Sequence, residues 1–216
     1  MSGVTKIIIK RVTLHLSTGL HEFFLPFRDA TNIVALMPSY AALLRGIGPG
    51  NPNMRNEKLA GVFTDLGFDN VRTVISSGNV LFDSPSSAVR ALENQIEHAL
   101  PNQLGFSSTT IIRSKRQLQD LVDSQPFKGV DHSEKTHLDV TFLKRKSRLK
   151  LQVPYASPGR DYAIVALDDR SVCSTVDLTS ARTPDLMRWL EKQFGKEITT
   201  RTFKTVERIL KKLNEA

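Results

Sequence analysis

Between Tyr40 and Arg113 the chain alternates β-rich and helix-periodic runs in an order that few folds accommodate. Tyr40 to Leu44 is a short apolar run. Past a glycine-rich loop, Leu59, Val62, Phe63 and Leu66 recur at helical spacing and Gly67 supplies the stop. Val71 to Ile75 and Val80 to Asp83 are β-rich and flank Ser76-Ser77-Gly78-Asn79, a hairpin turn whose Gly78-Asn79 pair suits positive φ. Val89, Leu92, Ile96, Ala99 and Leu100 stripe a second helix, disturbed at Pro101 and closed at Gly105, before a strand at Thr109 to Arg113. The order β-α-β-β-α-β is the ferredoxin-like split βαβ unit, an antiparallel sheet with both helices on one face.

The rest of the chain roughly repeats that order. Ser114 to Gln117 forms a capping box for a helix through Leu118, Leu121 and Val122, which Pro126 ends. Leu138, Val140 and Phe142 alternate with His137, Asp139 and Thr141, as a strand buried on one face requires. Tyr162 to Leu167 and Val172 to Val176 flank Asp168-Asp169-Arg170 as a second hairpin. Thr183 and Pro184 read as the start of a helix with Leu186, Trp189, Leu190 and Phe194 inward and Gly195 at its end. A short strand at Ile198 to Arg201 precedes a last helix that turns Val206, Leu210 and Leu213 inward. The expected class is therefore α+β, with two ferredoxin-like (βαββαβ) halves at 37–124 and 125–216. Residues 1–36 stand outside this pattern.

Arg45-Gly-Ile-Gly-Pro-Gly-Asn-Pro-Asn-Met54 joins the first strand to the first helix. Free N–H groups of Gly46, Gly48 and Gly50 and the Arg45 guanidinium can converge there on a carboxylate or phosphate, and Asn53 or Asn56 would cap the helix. The structural alternative is a connection needing unusual φ values, with Arg45 paired to an acid. Ser77 and Asn79 lie on a turn expected next to this loop, or form a bare hairpin turn. Arg201 and Thr205 would add a cation and a hydroxyl from the second half, while Thr202 or Thr205 would cap the last helix. The loop lacks both the P-loop Gly-Lys-Ser/Thr and a dinucleotide fingerprint.

The net charge of +8 is unevenly placed. Residues 37–125 carry eight cations and eight acids, whereas 126–216 carry eighteen cations against twelve acids. The densest run is Lys144-Arg-Lys-Ser-Arg-Leu-Lys150, followed by a lysine face between Lys204 and Lys212. Weak, salt-sensitive nucleic-acid binding is one expectation from this run, and a solvated loop is the other. Strand aromatics for base stacking are limited to Tyr40 and Phe82.

Catalytic patterns are sparse. No nucleophile elbow or zinc-pair spacing is present, so no cofactor or metal is expected and any enzymatic reaction is unassigned. Cys173 is the only cysteine, which agrees with a cytoplasmic, reducing setting. No run has the ~18 apolar residues of a membrane span, and residues 1–36 lack a signal-peptide pattern.

Leu43-Leu-Arg-Gly-Ile47, the following Gly- and Asn-rich loop with Met54, Ser77-Gly-Asn-Val80 and Thr199-Thr-Arg-Thr-Phe-Lys-Thr-Val206 together resemble the bacterial family called domain of unknown function 1697. The resemblance runs from about Met37 to Leu213. It implies an α+β fold with ferredoxin-like halves in a bacterial cytosol, and the family has no established activity. The commoner family loop reads Arg-Gly-Ile-Asn-Val-Gly-Gly; here Pro49 and Pro52 each remove an N–H donor. Where the family usually has Thr-Arg-Asn-Trp, Thr202 and Phe203 follow Arg201 and the amide is absent. Such proteins would begin at Met37, so the preceding segment reads as an over-long start or a poorly packed extension.

Overall fold

The computed structural model describes residues 37–48, 50–76, 78–179 and 185–215. From Pro38 onward these belong to one compact unit, and the segment before Met37 lies outside the description.

The first half runs β1 (Ser39–Leu44), α1 (Asn56–Asp65), β2 (Asp69–Thr73), β3 (Asn79–Asp83), α2 (Val89–Leu104) and β4 (Thr110–Ser114). Its sheet is antiparallel in the order β2-β3-β1-β4. Every residue from Tyr40 to Leu44 and from Asn79 to Asp83 is buried, so both faces of the central strands are covered. Tyr40, Ala42, Leu44, Val80, Phe82 and Ile112 face Leu59, Val62 and Phe63 of α1 and Leu92, Ile96 and Leu100 of α2. Tyr40 and Phe82, the two strand aromatics that could have stacked bases, instead stack on each other at 5.5 Å beneath these helices.

After β4 come α3 (Lys115–Asp123), β5 (Thr136–Leu143), β6 (Tyr155–Ala156), β7 (Tyr162–Leu167), β8 (Ser171–Asp177), α4 (Leu186–Phe194), β9 (Ile198–Thr202) and α5 (Phe203–Asn214). The second sheet is also antiparallel, in the order β6-β7-β8-β5-β9. Apart from the two-residue β6, its strand order reproduces that of the first sheet. The α+β class and the paired antiparallel sheets are as the sequence predicts.

The repeat is incomplete at one place. Where α1 joins the first two strands of the first half, the second half has the irregular stretch 144–161 with β6, because Lys144 to Lys150 has no apolar stripe to bury as a helix. One outer helix, α4, then covers that sheet. Leu186 and Leu190 meet Ile164, Val172 and Ile198, and Trp189 stacks on Tyr155 at 5.7 Å to fill the space.

A shared core joins the halves. Ala41, Leu43, Leu81 and Ile111 of the first sheet, Leu138, Val140, Phe142 and Cys173 of the second, Leu118 of α3, and Val206, Ile209, Leu210 and Leu213 of α5 form one apolar cluster. Helices α3 and α5 are each capped by the last residue of the strand that precedes them: Ser114 and Gln117 make the expected capping box, and the Thr202 hydroxyl accepts the Thr205 N–H at 3.3 Å.

Several local expectations change. Asn51, rather than Asn53 or Asn56, is the capping amide, and it caps a single 3-10 turn at Pro52–Met54; Arg55 leads into α1 without a side-chain cap. The hairpin before β3 places Ile75 and Gly78 at positive φ, whereas Asn79 already belongs to the strand. Thr183 and Pro184 lie outside the described residues, and α4 follows Asp185. Cys173 is buried in the shared core, which pushes its thiol pKa up to about 12 and makes it inert.

Candidate functional site

The ends of β1, β3 and β9 meet along the seam between the halves. Arg201, one residue before the Thr202 cap, points from the second half into the first. Its Nε donates to Asn79 Oδ1 at 2.6 Å, and its Nη2 donates to the carbonyls of Leu44 at 2.8 Å and Gly78 at 3.4 Å. Nη1 donates to Thr199 Oγ1 and to the Thr200 carbonyl, both at 2.8 Å. Burial lowers its pKa to about 10, yet at neutral pH it remains a cation fixed by main-chain and side-chain oxygens. Asn79 is buried as well, and its amide donates to the Val74 carbonyl at 3.0 Å, which holds the hairpin turn.

Arg45 stands at the outer edge of the same seam. It donates to the carbonyls of Lys196 and Ile198, and its Nη2 meets Glu191 Oε1 of α4 at 2.5 Å. The Arg45 and Glu191 side chains are 31% and 32% exposed, so this pair is solvent-screened. Gly46 and Gly78 have φ of +72° and +71°; a Cβ on Gly78 would lie 2.5 Å from Ile47 Cγ1, so only glycine lets Ile47 close over the turn. Ile75, 40% exposed, holds φ +58°, a costly conformation for a β-branched residue.

The remaining predicted residues divide. The Gly48 N–H is directed at Met54 Sδ at 3.4 Å, and Gly50 is exposed at the loop tip. Asn53 faces away from the seam: its amide donates to the Leu104 carbonyl at 3.1 Å and its oxygen accepts from Lys58 at 2.7 Å. Thr205 is engaged with the Thr202 cap, 2.9 Å between hydroxyl oxygens. Ser77 lies outside the described residues. The structure thus brings together Arg45, Asn79 and Arg201, while Asn53 and Thr205 serve local geometry.

An equivalent constellation exists on the other side of the shared core, and the sequence reading missed it. Arg113, one residue before the Ser114 cap, donates through Nη2 to the carbonyls of Leu143 at 2.7 Å and Arg170 at 2.8 Å. Leu143 ends β5 as Leu44 ends β1, and Arg170 precedes β8 as Gly78 precedes β3. Lys144, the counterpart of Arg45, pairs with Glu97 of α2 at 2.5 Å. Each half therefore sends one buried arginine into the other, and each has a cation after its first strand held by an acid from the other half's outer helix. The readable signal was an arginine directly before a hydroxyl cap, Arg113-Ser114 and Arg201-Thr202.

In the basic run, Arg145 pairs with Glu197 at 2.7 Å and Lys146 with Asp169 at 2.5 Å. Arg148 and Lys150 are exposed and form no ion pair among the described residues. They line a groove of about 490 Å³ with Leu167, Asp168 and Asp169. Among the described residues, no group of three His, Cys, Asp or Glu side chains could hold a metal, and no helix is long and apolar enough to cross a membrane.

No curated protein matches the chain. The solved structure of the conserved bacterial protein SP0830 from Streptococcus pneumoniae is similar in fold, with a TM-score of 0.63 at 21% identity, covering 82% of this chain and 99% of that one. The family model described as a protein of unknown function, DUF1697, matches residues 37–172, a span that includes Arg45, Gly78 and Asn79 and stops short of Arg201. The chain belongs to that family.

Proposed function

We propose that this protein binds a small carboxylate- or phosphate-bearing molecule at the mouth of the seam, where Arg45 exchanges its internal partner for the ligand's anionic group. The observation that carries this reading is the state of Arg45. Its guanidinium is oriented by main-chain carbonyls, but its only carboxylate partner among the described residues, Glu191, is itself a third exposed. A pair so screened is worth about 0–1 kcal/mol, so an incoming anion loses little by displacing it. Gly46 at its foot and the left-handed Ile75 in the adjoining turn support the reading, because backbone strain concentrates at ligand contacts. Arg201 and Asn79 set the floor and are not ligand contacts here. The buried lone cysteine supports a cytosolic setting.

Titration calorimetry against a panel of small carboxylates and phosphates tests this. Arg45→Ala should abolish binding, and Glu191→Gln should tighten it several-fold by removing the competitor. Binding that survives Arg45→Ala, or that Glu191→Gln leaves unchanged, ends the proposal.

A second reading has its own support in Arg148 and Lys150, the two cations of the basic run without acidic partners among the described residues. It assigns weak, sequence-independent polyanion binding to the groove they line. Replacing both with alanine should lower affinity for single-stranded nucleic acid and flatten its salt dependence by about two counterions. An unchanged salt slope would remove this reading.

A further inference from the structure

The second arginine lies against open space. Arg113 is 3% exposed and forms one wall of a cavity of about 310 Å³ between α3 and the turn joining β7 to β8, at the lower end of the size range of ligand cavities. A guanidinium has five N–H donors. Three bonds from Arg113 are formed, to the carbonyls of Ile112, Leu143 and Arg170, and its Nε–H and one Nη1–H meet no acceptor among the described residues. Among the described residues no carboxylate stands within ion-pair distance of it.

The neighbouring acids are already occupied: the buried Glu93 accepts the Ile112 N–H at 3.0 Å. Asp168 accepts the N–H groups of Arg170 and Ser171, both at 2.6 Å, and the Ser171 hydroxyl at 2.7 Å, while Asp169 is paired with Lys146. Asp120, on the α3 side, faces Arg116 at 3.9 Å. Among the described residues the Arg170 side chain at the rim has no ion pair, and the Gln117 amide nitrogen donates to no protein group. Phe142, 5.5 Å beneath the Arg113 guanidinium, and Leu121 give the cavity an apolar floor.

We propose that this cavity is a second, separate ligand site, taking a small carboxylate- or phosphate-bearing molecule whose anionic group bridges Arg113 and Arg170 and whose body rests on Phe142 and Leu121. Glu93, Asp168 and Asp169 favour the Arg113 cation from beyond ion-pair distance, and a buried guanidinium with two N–H groups left over beside open space is what an anion would complete. The site is independent of Arg45.

Because Arg113 also staples the halves, the test leaves it in place. Uniformly 15N-labelled full-length protein is titrated separately with acetate, benzoate and inorganic phosphate, following the Arg113 Nε–H, the Gln117 side-chain amide and the backbone of 168–171. Saturable shifts confined to these groups are expected; benzoate binding more tightly than acetate would confirm the apolar floor, and tighter phosphate binding would name phosphate esters as the source. The Arg170 side chain forms no hydrogen bond or ion pair among the described residues, and Arg170→Glu should weaken binding by about tenfold or more. Arg45→Ala should leave it unchanged. Absence of saturable shifts at these groups, or equal affinity in Arg170→Glu, overturns the proposal.

Discussion

Arg201 and Arg113 occupy matching positions and do matching work, yet their surroundings differ. Around Arg201 the partner turn is tight: Gly78 admits Ile47, and the Asn79 amide stitches the turn to Val74. Around Arg113 the turn is built by Asp168, which caps its own hairpin, and a cavity lies between that turn and α3. The acceptors common to both are main-chain carbonyls at the end of a first strand and at the start of a third. Geometry that relies on backbone oxygens survives wide change in side chains, so the seam is preserved in shape while its chemistry diverges.

The sharpest way to break this comparison is to remove each arginine. Arg201→Met strands several buried acceptors and should cost about 4 kcal/mol in urea unfolding, against about 2 kcal/mol for Arg113→Met, whose cavity admits water to the freed carbonyls. A reversed order would show that the Arg113 side is the tighter one. Next, Gly78→Ala should cost about 2 kcal/mol through its positive φ and the contact with Ile47. Arg170→Ala, at the matching position without positive φ, should stay within about 0.5 kcal/mol. Third, the acids should rank by exposure. Glu97 accepts the Thr110 N–H at 2.7 Å and pairs with Lys144, which is only 13% exposed, so Glu97→Gln should cost about 1 kcal/mol, roughly twice the effect of Glu191→Gln.

The smallest effect concerns the outer layer of the second half, where a loop replaces a helix. Asp161 accepts from the Ser157 hydroxyl at 2.5 Å and the Asp185 N–H at 3.2 Å, tying that loop to the start of α4. The Ser157 hydrogen bond chiefly holds its carboxyl below the usual range. A depressed carboxylate contributes stability above its unfolded pKa and loses it as pH falls through the folded value. Asp169, Asp177 and Glu215 are depressed too, so acid titration of wild type should show a loss in that window that is smaller, not abolished, in Asp161→Asn.

Much of the fold was legible because each element carries its own local signal. The stripes of α1 and α2, the Leu138-Val140-Phe142 alternation and the Ser114 capping box depend on neighbours within a few residues. The missing helix in the second half was masked because the strand runs on either side of 144–161 are strong enough to suggest a full repeat. At the site, the convergence of Arg45, Asn79 and Arg201 could be anticipated from strand order. Which acid meets Arg45 could not: Glu191 lies 146 residues away on a helix whose orientation is set by packing. Arg113 escaped attention since it sits in an unremarkable strand, and its role appears only when the two halves are laid over each other.

The apolar cluster threaded by α3 and α5 draws its members from both sheets. Neither half closes that side alone, so separate peptides ending and beginning in the stretch after α3 would have no solvent-proof interior until they met. Such fragments should be unstructured individually and should assemble on mixing, which would make this protein a self-complementing pair written as a single polypeptide.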